Sequence, residues 1–287
     1  MLLLCCALGD GVAPLTAAQY RILAQRVAAA PQGRREELDA QFLVSIGYSA
    51  REAAHILALL ARSAQSYLAS AAQRGCYALS RISEQFPKRL RERLGDDCPP
   101  ALFYSGDVSL LQKPCVALVG ARDLRPENGR FASQIGALAA KEGYVLVSGG
   151  ARGADSMAQQ ACLRAGGSVI CFVSDELYRH KQQARMLYCS EEGFDYAFST
   201  PRALRRNRLI HALGAKTFVA QSALEKGGTW RGTWENLQRG YSPVYVFNDN
   251  SEAAIALIER GAQSVPIAPQ SLGDLPKTQL SIFDDCL

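Results

Sequence analysis

The spacing of hydrophobic positions is helical in the first quarter of the chain. The segments "LTAAQYRILAQRVAA" and "SAREAAHILALLARSAQSYLASA" place apolar residues three and four positions apart, which predicts amphipathic helices. Thr16 and Ser49 precede these apolar stretches and are expected to cap the helices. Residues 1–75 are therefore predicted to form a small N-terminal helical domain.

After this region, short apolar runs rich in β-branched residues alternate with helical patterns. Continuous apolar strands that alternate with helices indicate a parallel sheet covered on both faces. The predicted fold class is therefore α/β, with a doubly wound, mostly parallel sheet over residues 76–265. The predicted strands are "CVALVG" (115–120), "YVLVSGG" (144–150), "SVICFVS" (168–174), "TFVAQS" (217–222) and "PVYVF" (243–247).

Two further segments fall outside this alternation. The segment "PPALFYSGDVSLL" (99–111) has turn-forming residues at both ends and is predicted to be a linker or an edge element. Residues 266–287 are rich in proline, serine and aspartate. They are too short for another domain, so we predict a flexible C-terminal tail.

Length and charge limit the classes of function without choosing one. With 287 residues, of which 48% are hydrophobic, the chain can bury one large core and carry a smaller second domain. Its formal net charge of +5 permits a polyanionic partner without requiring one. No apolar run approaches the roughly 20 residues that span a bilayer, and we expect no interaction with a membrane.

The cysteines indicate a reducing compartment. Nine cysteines are scattered without a CxxC pair, and the three histidines do not lie near paired cysteines. We therefore expect no metal site. An odd number of dispersed cysteines indicates thiols that pack as small apolar side chains, so the expected location is the cytoplasm.

Four polar segments should meet at one edge of the sheet, because the carboxyl ends of parallel strands share an edge. They are "VGARD", "SGGARGAD", "STPRALRRNRLIHAL" and "EKGGTWRGTWENL". Their glycines expose main-chain N–H groups, their arginines add positive charge, and the helices that follow favour anions at their N-termini. Together these features predict a groove that binds several phosphates. The candidate residues are Gly120, Arg122, Ser148, Gly149, Gly150, Arg152, Gly153, Asp155, Arg202, Arg205, Arg206, Asn207, Arg208, Lys226, Gly227, Gly228 and Thr229.

Each of these features also has a plainer structural explanation. A glycine-rich turn can be only a tight connection, and an arginine cluster can be a solvated helix face. Trp230 and Trp234 are four residues apart, which favours packing in the core over a platform for stacked bases. The GxGxxG, GxxxxGK[ST], GxSxG and HExxH patterns do not occur, so the sites that these motifs form are not supported.

The ordered segments "VALVGARD", "VSGGARGADSMAQQACLRAGGSVICFV" and "RRNRLIHALGAKTFVAQS" resemble the Rossmann-like domain of the DNA-processing protein A family, also called DprA or Smf. The likeness covers about residues 80 to 262. It implies binding of single-stranded DNA without sequence preference, and help in loading a RecA-type recombinase during DNA uptake, recombination or repair. It implies neither a catalytic activity nor a cofactor. The residues that match family motifs are Arg122, then Ser148, Gly149, Arg152, Gly153 and Asp155, and then Arg205, Arg206, Asn207 and Arg208.

Two departures mark the chain as a divergent member of that family. The segment "KGGTWRGTWENL" stands where the family usually has a Ser-Gly-Ser loop, and no winged-helix pattern follows the predicted sheet. The resemblance therefore leaves open how this side of the groove binds its ligand.

The tail carries a second resemblance. Its "QLSIF" segment is similar to the short motif by which bacterial proteins bind the replicative sliding clamp. A clamp groove binds a glutamine side chain and an apolar pair, whereas the alternative is that the tail folds back onto its own domain. The clamp is thus a candidate partner, and a homodimer is a candidate assembly for which the sequence carries no specific signal. The residues that match the motif are Gln279, Leu280, Ile282 and Phe283.

The alternatives to a DNA-binding protein are an enzyme and a nucleotide-binding protein. The segment "KGGTWRGTWE" is similar to the PGGxGTxxE motif of nucleoside-monophosphate phosphoribohydrolases, although Glu235 lies seven residues after Gly228, one more than in that motif. A nucleotide-binding protein would instead use the glycine-rich pocket for one phosphorylated ligand. Such a protein binds mononucleotides as tightly as oligomers, whereas a groove gains affinity with strand length.

Overall fold

Helices fill the first part of the chain, as the periodicity predicts. The structure, a computed structural model, describes residues 2–31 and 38–275. Thr16 and Ser49 each close a capping box at the start of a helix, which confirms their predicted role. The helices of this region are α1 (Leu2–Cys5), α2 (Ala17–Ala29), α3 (Ala40–Ser45), α4 (Ala50–Leu60) and α5 (Gln65–Gln73).

Helix α5 packs directly against the rest of the molecule. The Tyr67 ring lies 5.9 Å from that of Phe103 and 4.8 Å from that of Phe194. The Tyr67 hydroxyl donates a hydrogen bond to Asp195 over 2.6 Å. A buried tyrosine needs such a partner for its hydroxyl, so this contact ties the helical region to the sheet. The domain boundary at residue 75 stays a prediction.

The described residues form a nine-stranded sheet in the order β1-β2-β6-β5-β4-β3-β7-β8-β9. Pairing is antiparallel between β1 and β2 and between β2 and β6, and parallel elsewhere. This confirms the predicted α/β class and each of the five predicted strands. The strands are β1 (Tyr77–Ser80), β2 (Ala101–Gly106), β3 (Cys115–Val119), β4 (Val145–Ser148), β5 (Ser168–Phe172), β6 (Met186–Ser190), β7 (Thr217–Val219), β8 (Val244–Phe247) and β9 (Gln263–Val265).

The prediction of a linker or edge element over residues 99–111 is wrong. Strand β2 lies inside the sheet, between β1 and β6. Leu102 and Phe103 are fully buried there, because neighbours cover both faces of the strand. Strands β1, β6 and β9 were not predicted from the sequence.

Helices cover both faces of the sheet. Helices α7 (Pro126–Lys141) and α8 (Ala154–Arg164) contribute Phe131, Ile135 and Cys162 to the core on one face. Helices α9 (Thr200–Leu213) and α10 (Gly227–Arg239) contribute Leu209 and Trp230 to the core on the other face. The remaining α-helices of the described residues are α6 (Lys88–Leu94), α7 (Pro126–Lys141), α8 (Ala154–Arg164), α9 (Thr200–Leu213), α10 (Gly227–Arg239) and α11 (Glu252–Glu259).

The order of the strands creates a crevice between β3 and β7. From β3 the chain builds β4, β5 and β6 towards one side, then returns through α9 and builds β7, β8 and β9 towards the other side. In sheets of this kind, ligands bind outside the carboxyl ends of the strands where the winding direction reverses. The fold therefore predicts a ligand-binding site at the carboxyl ends of β3 and β7.

At the opposite, amino-terminal edge, a buried lysine holds the last described segment of the chain. Lys216 is 5% exposed, and its ammonium donates hydrogen bonds to the carbonyl oxygens of Leu272, Gly273 and Leu275 over 2.6, 2.9 and 2.7 Å. The Glu142 carboxylate accepts the N–H groups of Leu272 and Gly273. We call this arrangement the C-terminal anchor.

The thiols lie in packing positions. All eight cysteines in the described residues are free, and all except Cys5 are buried. Burial raises the pKa of the Cys115 thiol to about 12, which leaves it protonated and unreactive.

The helices of residues 2–31 and 38–275 include none with the length and hydropathy of a membrane span.

The C-terminal anchor predicts a large effect of replacing Lys216. Lys216→Met removes the donor to three carbonyl oxygens, and leaving such groups unpaired costs about 3 kcal/mol of unfolding free energy. Urea denaturation measures the loss. Lys113→Met, at an exposed site, is the control and should change stability by less than about 0.5 kcal/mol. Equal stabilities for the two variants would contradict the role of the anchor.

Candidate functional site

A cleft of about 480 Å³ opens at the carboxyl ends of β3 and β7. We call it the switch-point cleft. All four predicted polar segments reach it, the third of them as helix α9, so most of the predicted phosphate-binding residues meet here. Its lining includes Gly120, Arg122, Ala151, Asp155, Phe198, Thr200, Arg206, Asn207, His211, Lys226, Gly227, Gly228 and Thr229.

The turn between β4 and α8 forms one wall of the cleft. Gly153 has φ +86°, and a Cβ at this position would clash with the carbonyl oxygens of Ala121 and Arg122. Only glycine therefore lets this turn approach the loop after β3. The N–H of Ala154 donates to the Ala121 oxygen over 3.2 Å, which joins the two predicted loops.

Asp155 closes this turn from inside. Its Oδ2 atom accepts the N–H groups of Gly149 and Ala151 over 3.1 and 3.2 Å. Burial raises the pKa of its carboxyl to about 6, against the opposing effect of Arg206 and of the two amides. Asp155 is thus the residue that shapes the turn, and its charge changes near neutral pH.

Arg206 forms the floor of the cleft. It is 7% exposed, and its Nη1 atom donates to the Phe172 oxygen at the end of β5 over 2.8 Å. A Cβ at position 149 would clash with this guanidinium, so Gly149 makes room for it. The buried Nε atom of Arg206 has no hydrogen-bond partner among the described residues. A buried donor without a partner is costly, and the residue that carries it lines the cleft.

Helix α10 points its N-terminus into the cleft. Lys226 is the cap residue and provides no side-chain hydrogen bond, so the first N–H groups of the helix face the opening. Asn207 donates to the Gly228 oxygen over 3.1 Å, which fixes α10 against α9. The positive end of a helix dipole and free N–H groups together favour a phosphate.

Two cations at the cleft remain available for a ligand. Arg122 and Lys226 are exposed and line the cleft, and their side chains have no ion-pair or hydrogen-bond partner within the described residues. Arg152 differs, because it pairs with Asp123 at the surface over 2.8 Å. Ser148 is fully buried and accepts a hydrogen bond from Gln159, so its hydroxyl serves the packing of α8.

The expectation that all the arginines of α9 share one rim with the glycine turns is wrong. Arg202, Arg205 and Arg208 turn away from the switch-point cleft and pair with the acidic residues Glu191 and Glu192, which follow β6. Arg208 forms two bonds to Glu191, over 2.7 and 3.0 Å. Three-residue spacing places these arginines along one side of the helix, whereas Arg206 faces the strands.

The two tryptophans pack, as their spacing favours. Trp230 is buried, and the Arg260 guanidinium lies 5.3 Å from the Trp230 ring and 5.4 Å from the Trp234 ring. Neither ring lines the switch-point cleft. Their contact with Arg260 is a cation–π interaction that holds α10.

Among the cleft residues that sequence reasoning missed are Phe198 and His211. His211 is buried, its Nδ1 atom lies 3.2 Å from Nδ2 of Asn236, and burial lowers its pKa to about 3. The imidazole is therefore neutral near pH 7. Its position four residues after Asn207 is a signal that could have placed it on the same helix face.

The remaining sequence predictions concern the phosphoribohydrolase alternative, a metal site and the clamp-binding motif. Glu235, the carboxylate of the phosphoribohydrolase alternative, accepts a hydrogen bond from Tyr241 and does not line the cleft, so the geometry does not favour that alternative. Within the described part of the chain, no group of three or more His, Cys, Asp and Glu side chains could hold a metal ion. The proposed clamp residues, Gln279, Leu280, Ile282 and Phe283, lie outside the described residues.

A model of the DNA recombination-mediator protein A family matches residues 78–275. The chain belongs to this family. It is 29% identical over 246 residues to Protein Smf of Escherichia coli strain K12, covering 80% of this chain and 64% of that protein. It is 26% identical over 226 residues to the DNA processing protein DprA of Bacillus subtilis strain 168, covering 73% and 75%. The resemblance seen in the sequence is thereby confirmed.

Solved structures of family members share the fold. DNA processing protein A of Streptococcus pneumoniae aligns with a TM-score of 0.68 at 22% identity, over 88% of this chain and 96% of that one. DNA processing protein A of Helicobacter pylori aligns with a TM-score of 0.55 at 28% identity, over 66% and 90%. The H. pylori structure was solved to explain a unique mode of single-stranded DNA binding.

The raised pKa of Asp155 predicts a dependence of stability on pH. The native carboxyl keeps its proton up to about pH 6, whereas an ordinary carboxyl loses it near 3.8. The stability that Asp155 contributes is therefore complete below pH 3.8 and is lost, by about 3 kcal/mol, as the pH rises through 6. Urea denaturation of the wild type and Asp155→Asn should show a difference that falls between pH 4 and 7. A difference that rises over this range would show that the fold favours the ionised form.

Proposed function

We propose that the chain binds single-stranded DNA without sequence preference in the switch-point cleft. The observation that carries this proposal is the meeting of four anion-binding features in one cleft. These are the N-terminus of α10, the unpaired donor of buried Arg206, and the exposed cations Arg122 and Lys226. Family membership and the DNA binding of the H. pylori relative support it.

The chemistry of the cleft suits a backbone and not a particular base. Guanidinium and ammonium groups and main-chain amides bind phosphate oxygens, which are the same for every nucleotide. Arg122 and Lys226 would neutralise phosphates at the mouth, and Arg206 would bind one at the floor. Binding of this kind is tolerant of sequence and is weakened by salt.

The two exposed cations predict a measurable salt dependence. Each phosphate contact on a single strand contributes roughly −0.7 to the slope of log affinity against log salt. Replacing both Arg122 and Lys226 by Ala should therefore weaken binding and flatten the slope by about 1.4. Fluorescence anisotropy with a labelled oligothymidine at several salt concentrations measures both quantities.

Arg51→Ala with Arg130→Ala is the matched control for this experiment. Both residues are exposed, on α4 and α7, and their loss changes the net charge by the same amount without altering the cleft. The control should keep the wild-type slope. Equal slopes for all three proteins would remove Arg122 and Lys226 from the DNA-binding site.

We further propose that the bound strand is passed to a RecA-type recombinase during DNA uptake, recombination or repair. Membership of a recombination-mediator family supports this role. The chain spans 64% of the length of the E. coli relative, so the activity of that whole protein is carried over here only as a proposal.

Recombinase loading predicts a gain of activity in a coupled assay. Adding the chain to single-stranded DNA covered by single-strand-binding protein should increase DNA-dependent ATP hydrolysis by the RecA-type recombinase of the same organism. The Arg122→Ala, Lys226→Ala double variant should lose most of this stimulation, because it cannot hold the strand. An unchanged rate with the wild-type chain would contradict the mediator role and leave DNA binding unaffected.

A further inference from the structure

An exposed phenylalanine lies at the switch-point cleft. Phe198 lines the cleft and is 53% exposed, whereas every other phenylalanine that the structure describes is buried. An aromatic ring left in water forgoes the free energy that its burial would release. Its exposure beside phosphate-binding groups indicates a ligand with a flat apolar face.

Main-chain contacts hold Phe198 in this position. The Nη1 atom of Arg202 donates hydrogen bonds to the carbonyl oxygens of Tyr196, over 2.6 Å, and Ala197. The Nε atom of Arg202 pairs with Glu192 over 2.5 Å. Arg202, which the sequence predicts as a phosphate contact, thus holds the segment that carries Phe198 in the described structure.

Packing within the helix start does not account for the ring. Phe198 precedes Ser199, the cap residue of α9, and a hydrophobic residue at this position often packs on the fourth residue of the helix. That residue is Ala203, whose single methyl group covers little of a phenyl ring. More than half of Phe198 therefore stays open.

We propose that Phe198 stacks on an unpaired base of the strand whose phosphates lie in the switch-point cleft. The proposal rests on the function proposed above and adds a contact with the bases to the contacts with the phosphates. Stacking on an aromatic ring tolerates every sequence, because each base has a π face. In a duplex these faces are already covered by neighbouring base pairs, so Phe198 favours single strands over duplexes.

Replacing Phe198 tests the stacking directly. Phe198→Ala should weaken binding of an oligothymidine by about tenfold. It should leave the salt slope unchanged, because no phosphate contact is lost, and leave duplex binding unchanged. Phe198→Trp should retain wild-type affinity. Phe198→Leu, which keeps apolar bulk without an aromatic face, should bind as weakly as Phe198→Ala and guards against a folding defect in that variant.

Tyr77→Ala is the matched control. Tyr77 is 49% exposed and lies on β1, at the far end of the sheet from the cleft. This variant should bind DNA as the wild type does. A strand containing 2-aminopurine adds a spectroscopic measure, because stacking quenches the fluorescence of this base. The quenching should occur with the wild type and Tyr77→Ala and disappear with Phe198→Ala.

A strand of abasic sugar-phosphate separates the stacking from the phosphate contacts. The wild type should bind it as weakly as Phe198→Ala binds the normal strand, and Phe198→Ala should cause no further loss. If the wild type binds the normal strand and Phe198→Ala binds it equally well, the stacking proposal fails while the proposed function stands. If the wild-type chain binds no single-stranded DNA, both fail.

Discussion

The architecture of the cleft depends on one buried charge, the guanidinium of Arg206. Removing such a charge from water costs several kcal/mol unless nearby groups compensate it. Compensation comes from the Phe172 carbonyl and, above about pH 6, from the ionised carboxylate of Asp155, which also holds the β4–α8 turn. Gly149 has no side chain because the guanidinium occupies that space. One arginine thus ties α9 to the ends of β4 and β5 and sets the residues around it.

Most of the positively charged side chains on α9 are neutralised by acidic partners and are not available to a ligand in the switch-point cleft. The arginines of α9 that point away from the cleft are neutralised by two consecutive acidic residues after β6. These ion pairs hold α9 against the segment that follows β6. Cations without partners in the described part of the cleft are Arg122 and Lys226, so the overall charge of +5 says little about binding.

The sequence predicted the parallel core of the sheet because its strands are buried on both faces and read as unbroken apolar runs. It failed for β2, whose flanking prolines and glycine resemble a linker, since antiparallel pairing on both sides is not a local property. The motif residues around the cleft were also found from sequence. The direction of each arginine was not, because it depends on Glu191 and Glu192, which lie in another loop. The exposure of Phe198 at the cleft could not be predicted, because the exposed fraction of a side chain depends on the folded structure around it.

The C-terminal anchor and the switch-point cleft lie at opposite edges of the sheet. Lys216 and Glu142 lie just before β7 and β4, and they grip the chain at residues 272–275. Leu275, the last residue that the structure describes, therefore lies at the edge of the sheet opposite the cleft. A fluorescent label attached at the exposed position 274 would therefore lie at the edge of the sheet opposite the cleft and leave the mouth of the cleft free.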